Sequence, residues 1–410
     1  MPETPRVLFV TEKYPWPLDD GGQIRTFQVL RALAGEARVT LLSTGPQQSG
    51  ALEPLRALGI EVVLVPPHRR AWKLPFELAR ALFTRRPHPL PKNFSQAMLA
   101  EIRRHIASGS VDVLHLNHLD AAQYLEYLQL EPGRTRTTID THNLLSGLYG
   151  HLVAAAGNPL SKAFTWLQWT RMVRYEPALL RRAERVLVCS EKEREALAVL
   201  GVERVRVVPN GVDTSYFAPP ATPPENRLGA LELVFTGGMD YLPNEDGARW
   251  FLERIFPLVV RGRPDARITF VGKNPSSALR AFAREGQIVF TGRVEDVRPF
   301  VQRAQVFVVP LRIGGGTRLK LLEALATGVP LVSTRVGAEG LDFSADEHLL
   351  LADEPQDFAN AVLALANDKP RAARLAASGR ARVLERYDWT VTTQPLIDEV
   401  RARSGDGRNP

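Results

Sequence analysis

A chain of 410 residues exceeds the roughly 250–300 at which a single core stops growing, so two domains are expected, each able to bury its own core. Hydrophobic residues at 44% and charged residues at 24% exclude a disordered chain, and a lone Cys189 excludes an intrachain disulfide framework and a multi-cysteine metal site. The formal charge of +7 favours anionic partners, yet no zinc-finger spacing, RNP-type aromatic motif or basic heptad helix points to nucleic acid.

The start, MPETPRVLFV, is strand-like and lacks the apolar core and cleavage site of a signal peptide. No apolar run approaches the roughly 20 residues of a membrane span, so a cytoplasmic location is expected. TEKYPWPLDDGGQIRTFQVLRAL then places Gly21 and Gly22 between a strand and a helix, with Arg25 one turn along facing an anion or solvent. Beyond the strands ARVTLLS and EVVLVP, residues 66–89 combine Arg69, Arg70, Lys73, Arg80, Arg85 and Arg86 with Trp72, Phe76 and Phe83. That composition suits either a segment resting on an anionic membrane surface or an amphipathic helix packed on its own domain. The strands VDVLHLN and TTIDTHN finish in Asn117-His118 and His142-Asn143, at carboxyl ends where a doubly wound fold puts function. Asp140 is placed to orient His142 or to cap the loop. The aromatic stretch 160–176 reads as a helix packed on its own domain, and Cys189 in RVLVCS as a small buried strand residue. In VPNGVD, Asn210-Gly211 suits a tight turn with positive φ.

The Pro-rich run 217–230 reads as the exposed edge of a domain boundary. A second series of strands follows: LELVFTG, RITFVG, IVFTG, VFVVPL, PLVST and HLLLAD. The turn FTGGMDYLPNEDGARW offers the amides of Gly237 and Gly238 but no cation before Arg249. GGGTRLKLLEALATGVPLVST, residues 314–334, predicts a glycine-rich turn, a helix carrying Arg318, Lys320 and Glu323, and a return to strand. Glycines admit a ligand to the backbone, and amides opening a helix attract anionic oxygens, so this segment suits a diphosphate. Residues 371–403 are helical in pattern, interrupted by ERYDWT, where Trp389 reads as a core anchor.

On these motifs, with VPNGVD and Gly21-Gly22, the chain resembles the retaining glycosyltransferases of family 4 over most of its length. The resemblance implies an α/β architecture of the GT-B type, two doubly wound Rossmann-like domains facing a central cleft. Residues 1–208 would bind the acceptor, joined by a C-terminal helix at about 390–410, and residues 209–389 would bind the nucleotide sugar. It further implies donor contacts from Gly21, Gly22, Gly237, Gly238, Gly315, Gly316, Thr317, Leu319 and Glu323, the last on the ribose. Arg318 and Lys320 would stabilise the leaving diphosphate, and His118, or Asn117, would sit near the reacting sugar carbon. His142 and Asn143 would contact the acceptor. The family's earlier glutamate falls on Gly315, so that sugar contact is missing.

The expected activity is therefore metal-independent, retaining transfer of a sugar from a nucleoside diphosphate to a hydroxyl of a glycan, lipid or small molecule. No cofactor is expected. A sugar-nucleotide epimerase or hydrolase, or a noncatalytic binding homologue, is the alternative on the same scaffold.

Overall fold

Buried β-branched runs flanked by helices build two all-parallel sheets. The computed structural model describes residues 4–45, 50–66, 87, 94–155, 157–221, 229–313 and 318–402. The chain forms two units, one of Met1–Pro209 with Thr393–Pro410 and the other of Asn210–Thr392.

In the first unit the strands are β1 (Arg6–Thr11), β2 (Arg38–Thr44), β3 (Glu61–Val65), β4 (Val113–Asn117), β5 (Arg136–Asp140), β6 (Arg185–Val188) and β7 (Val205–Val207). Their order is β3-β2-β1-β4-β5-β6-β7. The direction of winding reverses between β1 and β4, so the loops after Thr11 and Asn117 splay apart and leave a crevice beyond their carboxyl ends. Apolar side chains pack on both sheet faces, Leu8, Val10 and Leu116 in one cluster and Val7, Phe9 and Leu41 in another.

The helix Gln394–Arg401 belongs to this unit and adds Leu396 and Val400 to the Phe9 cluster. Its last carbonyls have no helical donors, and the Arg136 guanidinium supplies them, at 2.6 Å to Glu399 O and 2.8 Å to Val400 O.

The second unit contains β8 (Glu232–Thr236), β9 (Arg267–Val271), β10 (Ile288–Phe290), β11 (Val306–Val309), β12 (Leu331–Ser333) and β13 (Leu350–Leu351), ordered β10-β9-β8-β11-β12-β13. Its switch point lies between β8 and β11. Two expectations change here. Phe217 is buried in this unit's core, so the Pro-rich run does not begin at an exposed edge; the two units divide between Pro209 and Asn210, next to the 208/209 division expected. Nor does Asn210-Gly211 take a positive φ. Gly211 is a glycine because a Cβ there would lie 2.8 Å from Thr392 Oγ1 and 2.9 Å from Trp389 Cδ2. Trp389 is buried, as its role of anchor requires. Among the described residues no helix is long and apolar enough to cross a membrane.

Candidate functional site

Each unit carries a polar cluster at its switch point. In the first, Gly21 and Gly22 open the helix Gly21–Ala34, whose N-cap Asp20 accepts from Gln23 N at 2.9 Å. Parallel register sets Asn117 at the end of β4 beside Asp140 at the end of β5, so the residues that follow, His118 and His142, emerge together. Their rings meet edge to face at 5.7 Å. Both take positive φ, 72° and 55°, a conformation that costs a non-glycine residue on the order of 1 kcal/mol or more and that tight surroundings must enforce. His142 Nε2 lies 2.9 Å from Asn117 Oδ1, and His118 Nδ1 lies 3.3 Å from Asp120 Oδ2. Thus Gly22, Asn117, His118 and His142 converge. Asn143 makes only a backbone turn among the described bonds, its N–H on Thr141 O at 2.6 Å.

Arg25 is turned away from solvent, onto a carboxylate of the protein itself. It is 1% exposed and forks onto Asp140, with Nη2–Oδ1 at 2.9 Å and Nε–Oδ2 at 3.0 Å, while Nη1 donates to Val208 O at 3.0 Å. Burial pushes the Asp140 carboxyl up, but Arg25, with His142 and His115, together outweighs it and holds the group at about 2. Asp140 Oδ1 also accepts from His142 N at 3.3 Å. Burial drives the His142 imidazole down to about 3, against the pull of Asp140. Sequence reading missed Glu12. Its carboxyl follows β1, accepts a short hydrogen bond from Tyr124 Oη, and is raised by burial to about 7. Cys189 is inert: burial raises its thiol, and Sγ donates to His142 O at 2.9 Å.

In the second unit, Gly237, at φ 143°, follows β8, and Gly272, at φ 152°, follows β9. The backbones cross so closely that a Cβ on Gly272 would fall 1.9 Å from Gly237 O. A Cβ on Gly237 would fall 2.7 Å from both Asn244 Nδ2 and Lys320 Nζ. That space is held for the Lys320 ammonium, which donates to Asn244 Oδ1 at 2.7 Å and lies 4.1 Å from the Phe235 ring centroid. Asn244 in turn donates to Gly238 O at 2.8 Å.

Lys320 and Glu323 share the helix Leu319–Ala326, one turn apart. Burial, with Arg318 adding to it, lowers the Lys320 ammonium to about 7. Burial raises the Glu323 carboxyl to about 7. Arg318 is not within the helix, as expected from sequence, but is its N-cap, with extended backbone and a side chain largely removed from solvent. Leu319 is the first helical residue. Gly315, Gly316 and Thr317 lie outside the described residues. A second cation near the glycine turn was not foreseen: Lys273 follows Gly272, and its Cε comes within 3.7 Å of where a Gly238 Cβ would stand. The Lys320 cluster pairs a partly charged base and acid with helix amides, a combination suited to a diphosphate and vicinal hydroxyls.

Residues 20–216 match the family described as Glycosyltransferase Family 4, and residues 230–368 match Glycosyl transferases group 1. A phosphatidyl-myo-inositol mannosyltransferase of Mycolicibacterium smegmatis is 27% identical over 370 residues, spanning 87% of this chain and 89% of the relative. A GDP-mannose-dependent monoacylated alpha-(1-6)-phosphatidylinositol monomannoside mannosyltransferase of Corynebacterium glutamicum is 28% identical over 212 residues, 48% of this chain and 55% of the relative. Among solved structures, sucrose-phosphate synthase from Thermosynechococcus elongatus has a TM-score of 0.70 at 18% identity, covering 97% of this chain and 98% of that one.

Proposed function

From the premise that the chain belongs to the family 4, group 1 glycosyltransferases and has their two-domain GT-B fold, we propose a retaining, metal-independent transfer of mannose from a nucleoside diphosphate to the hydroxyl of a lipid-linked or glycan acceptor. The relatives' names support the sugar and the acceptor class. The observation that carries the reading is the Lys320 cradle, with a lysine held over Phe235 and a glutamate one turn along.

In this reading Glu323 accepts hydrogen bonds from the ribose hydroxyls, and the Gly238 amide and Lys273 contribute to the diphosphate site. Arg318 and Lys320 meet the negative charge that grows on the diphosphate as the glycosidic bond breaks, which is where fixed positive groups act most on rate. The acceptor oxygen attacks from the face the diphosphate leaves. The N-terminal unit, with His118 and His142 at its switch point, serves the acceptor. No protein nucleophile is required.

Replacing Glu323 with Ala is expected to weaken nucleoside diphosphate binding by about 1–3 kcal/mol, the scale for a charge-assisted hydrogen bond whose partners are left unpaired. Calorimetric titration with GDP measures it, and unchanged affinity would remove Glu323 from the ribose.

We also propose peripheral attachment to an anionic membrane through Arg69, Arg70, Arg85 and Arg86, which lie outside the described residues. Cations near such a surface contribute about 1 kcal/mol each, screened by salt. Flotation with anionic but not neutral vesicles, lost at high salt, is the expected outcome. Equal flotation of an R69S/R70S/R85S/R86S variant would rule these arginines out.

A further inference from the structure

The segment after β5 carries His142 and runs into the helix Leu145–Ala155, and each of its backbone N–H groups from Thr141 to Ser146 has an acceptor. Thr141 N donates to Leu187 O at 3.0 Å, His142 N to Asp140 Oδ1 at 3.3 Å and Asn143 N to Thr141 O at 2.6 Å. The next three go to two glutamates. Leu144 N donates to Glu193 Oε1 at 3.2 Å, Leu145 N to Glu176 Oε1 at 2.8 Å and Ser146 N to Glu176 Oε2 at 3.0 Å. Glu176 comes from the helix Pro159–Leu180 and Glu193 from the helix Glu191–Val199, 30 to 49 positions along the chain from the amides they accept.

A cap within the turn would satisfy these amides yet move with the segment, whereas a carboxylate on another helix fixes where the segment lies. Glu193 does this twice over. Its Oε2 accepts from Cys189 N at 2.9 Å, so one carboxylate ties the residue after β6 to the segment after β5, and Cys189 Sγ closes the same link on His142 O. Glu176 is 1% exposed. Burial raises both carboxyls, opposed first by hydrogen bonds from Ser146 on Glu176 and from Cys189 and Leu144 on Glu193. Both oxygens of each are committed to N–H donors, so losing either oxygen as an acceptor frees an amide. Two buried carboxylates are a costly way to start a helix, and the residue they secure, His142 at φ 55°, is itself in a conformation that its surroundings must impose.

We propose that Glu176 and Glu193 are positioning residues for the transfer reaction: they anchor the segment after β5 to two other helices, so that His142 stands at the switch point before a ligand arrives. The proposal rests on the reading of the N-terminal unit as the acceptor's and deepens it.

Glu176→Gln and Glu193→Gln keep the side chain's size and turn one acceptor oxygen into an NH2 group. Amide hydrogen exchange of the full chain reads the anchor without turnover. Residues 144–146 should exchange about tenfold faster or more in the variants, while β1 and β8 keep wild-type protection. Wild-type exchange at 144–146 would overturn the anchor, and lost protection throughout the first sheet would assign the glutamates to fold stability instead. With GDP-mannose and phosphatidylinositol, each variant should lose about tenfold or more in kcat/KM for the acceptor at unchanged GDP affinity. In a His142→Ala background, itself impaired, Glu193→Gln should cost little more, because both act through one segment. Fully additive losses would overturn the proposal, as would wild-type turnover in His142→Ala. Failure of the transfer reading itself looks different: the wild type would release no GDP, while the exchange result would stand.

Discussion

Lys320→Met is expected to lower turnover by about a hundred- to a thousandfold while changing donor affinity much less, the effect of deleting one fixed charge aimed at a developing anion. The ammonium is held in place by Asn244 and by the missing side chain at Gly237, so no neighbouring lysine replaces its geometry. The same site predicts a proton signature. Lys320 is depressed to about 7, so at about pH 8 it is mostly neutral. A bound diphosphate stabilises the charged form and raises that value, and binding at about pH 8 should therefore take up a proton. Glu323, also near 7, is by then mostly ionised and contributes little of the opposite sign. Calorimetry in buffers of different ionisation enthalpy reads the uptake. Wild-type turnover in Lys320→Met, or the same uptake without the lysine, would remove Lys320 from the diphosphate.

Arg25→Met should destabilise the N-terminal unit by about 3–5 kcal/mol, because it leaves the Asp140 carboxylate buried at 0% exposure without its counter-charge. At about 2–4 °C per kcal/mol for a unit of this size, its thermal midpoint should fall by roughly 6–20 °C. An Arg25→Met/Asp140→Leu double variant should recover much of the loss, since apolar groups of similar volume often replace a buried pair without penalty. Calorimetric melting of the three proteins gives the comparison, and additive losses would mean that the pair is not coupled.

The sign with pH follows from the depressed values. Asp140 stabilises above its unfolded value near 4 and loses that contribution as pH falls toward about 2. His142, neutral when folded, lowers stability as pH falls from about 6.5 toward about 3, because the unfolded chain gains the proton first. Both effects make this unit acid-labile.

Strand runs such as RVLFVT and VFVVPL carry enough β-branched residues to announce both sheets from sequence, and Gly-rich turns mark the strand ends expected to receive ligands. Lys320 and Glu323 were readable because they lie one helical turn apart on a single segment. The His118–His142 pairing was readable only as two separate strand ends, since the contact depends on the register that sets Asn117 beside Asp140. Arg25 misled because a local pattern cannot tell a solvated cation from one that reaches a carboxylate 115 positions away. Gly211 misled in the same way: its reason is the approach of Trp389, not its own turn. Glu12 and Lys273 carry no motif, and only folding brings them to Tyr124 and Gly238.

The central claim is that the chain transfers a sugar from a nucleoside diphosphate to another molecule's hydroxyl. The most direct test follows release of GDP from GDP-mannose by the purified protein, with and without a phosphatidylinositol or glycan acceptor, and identifies the sugar product. The account predicts release that depends on the acceptor, with mannose joined to the acceptor hydroxyl in the donor's anomeric configuration. Equal release without acceptor, yielding free mannose, or tight donor binding with no release at all, would contradict it.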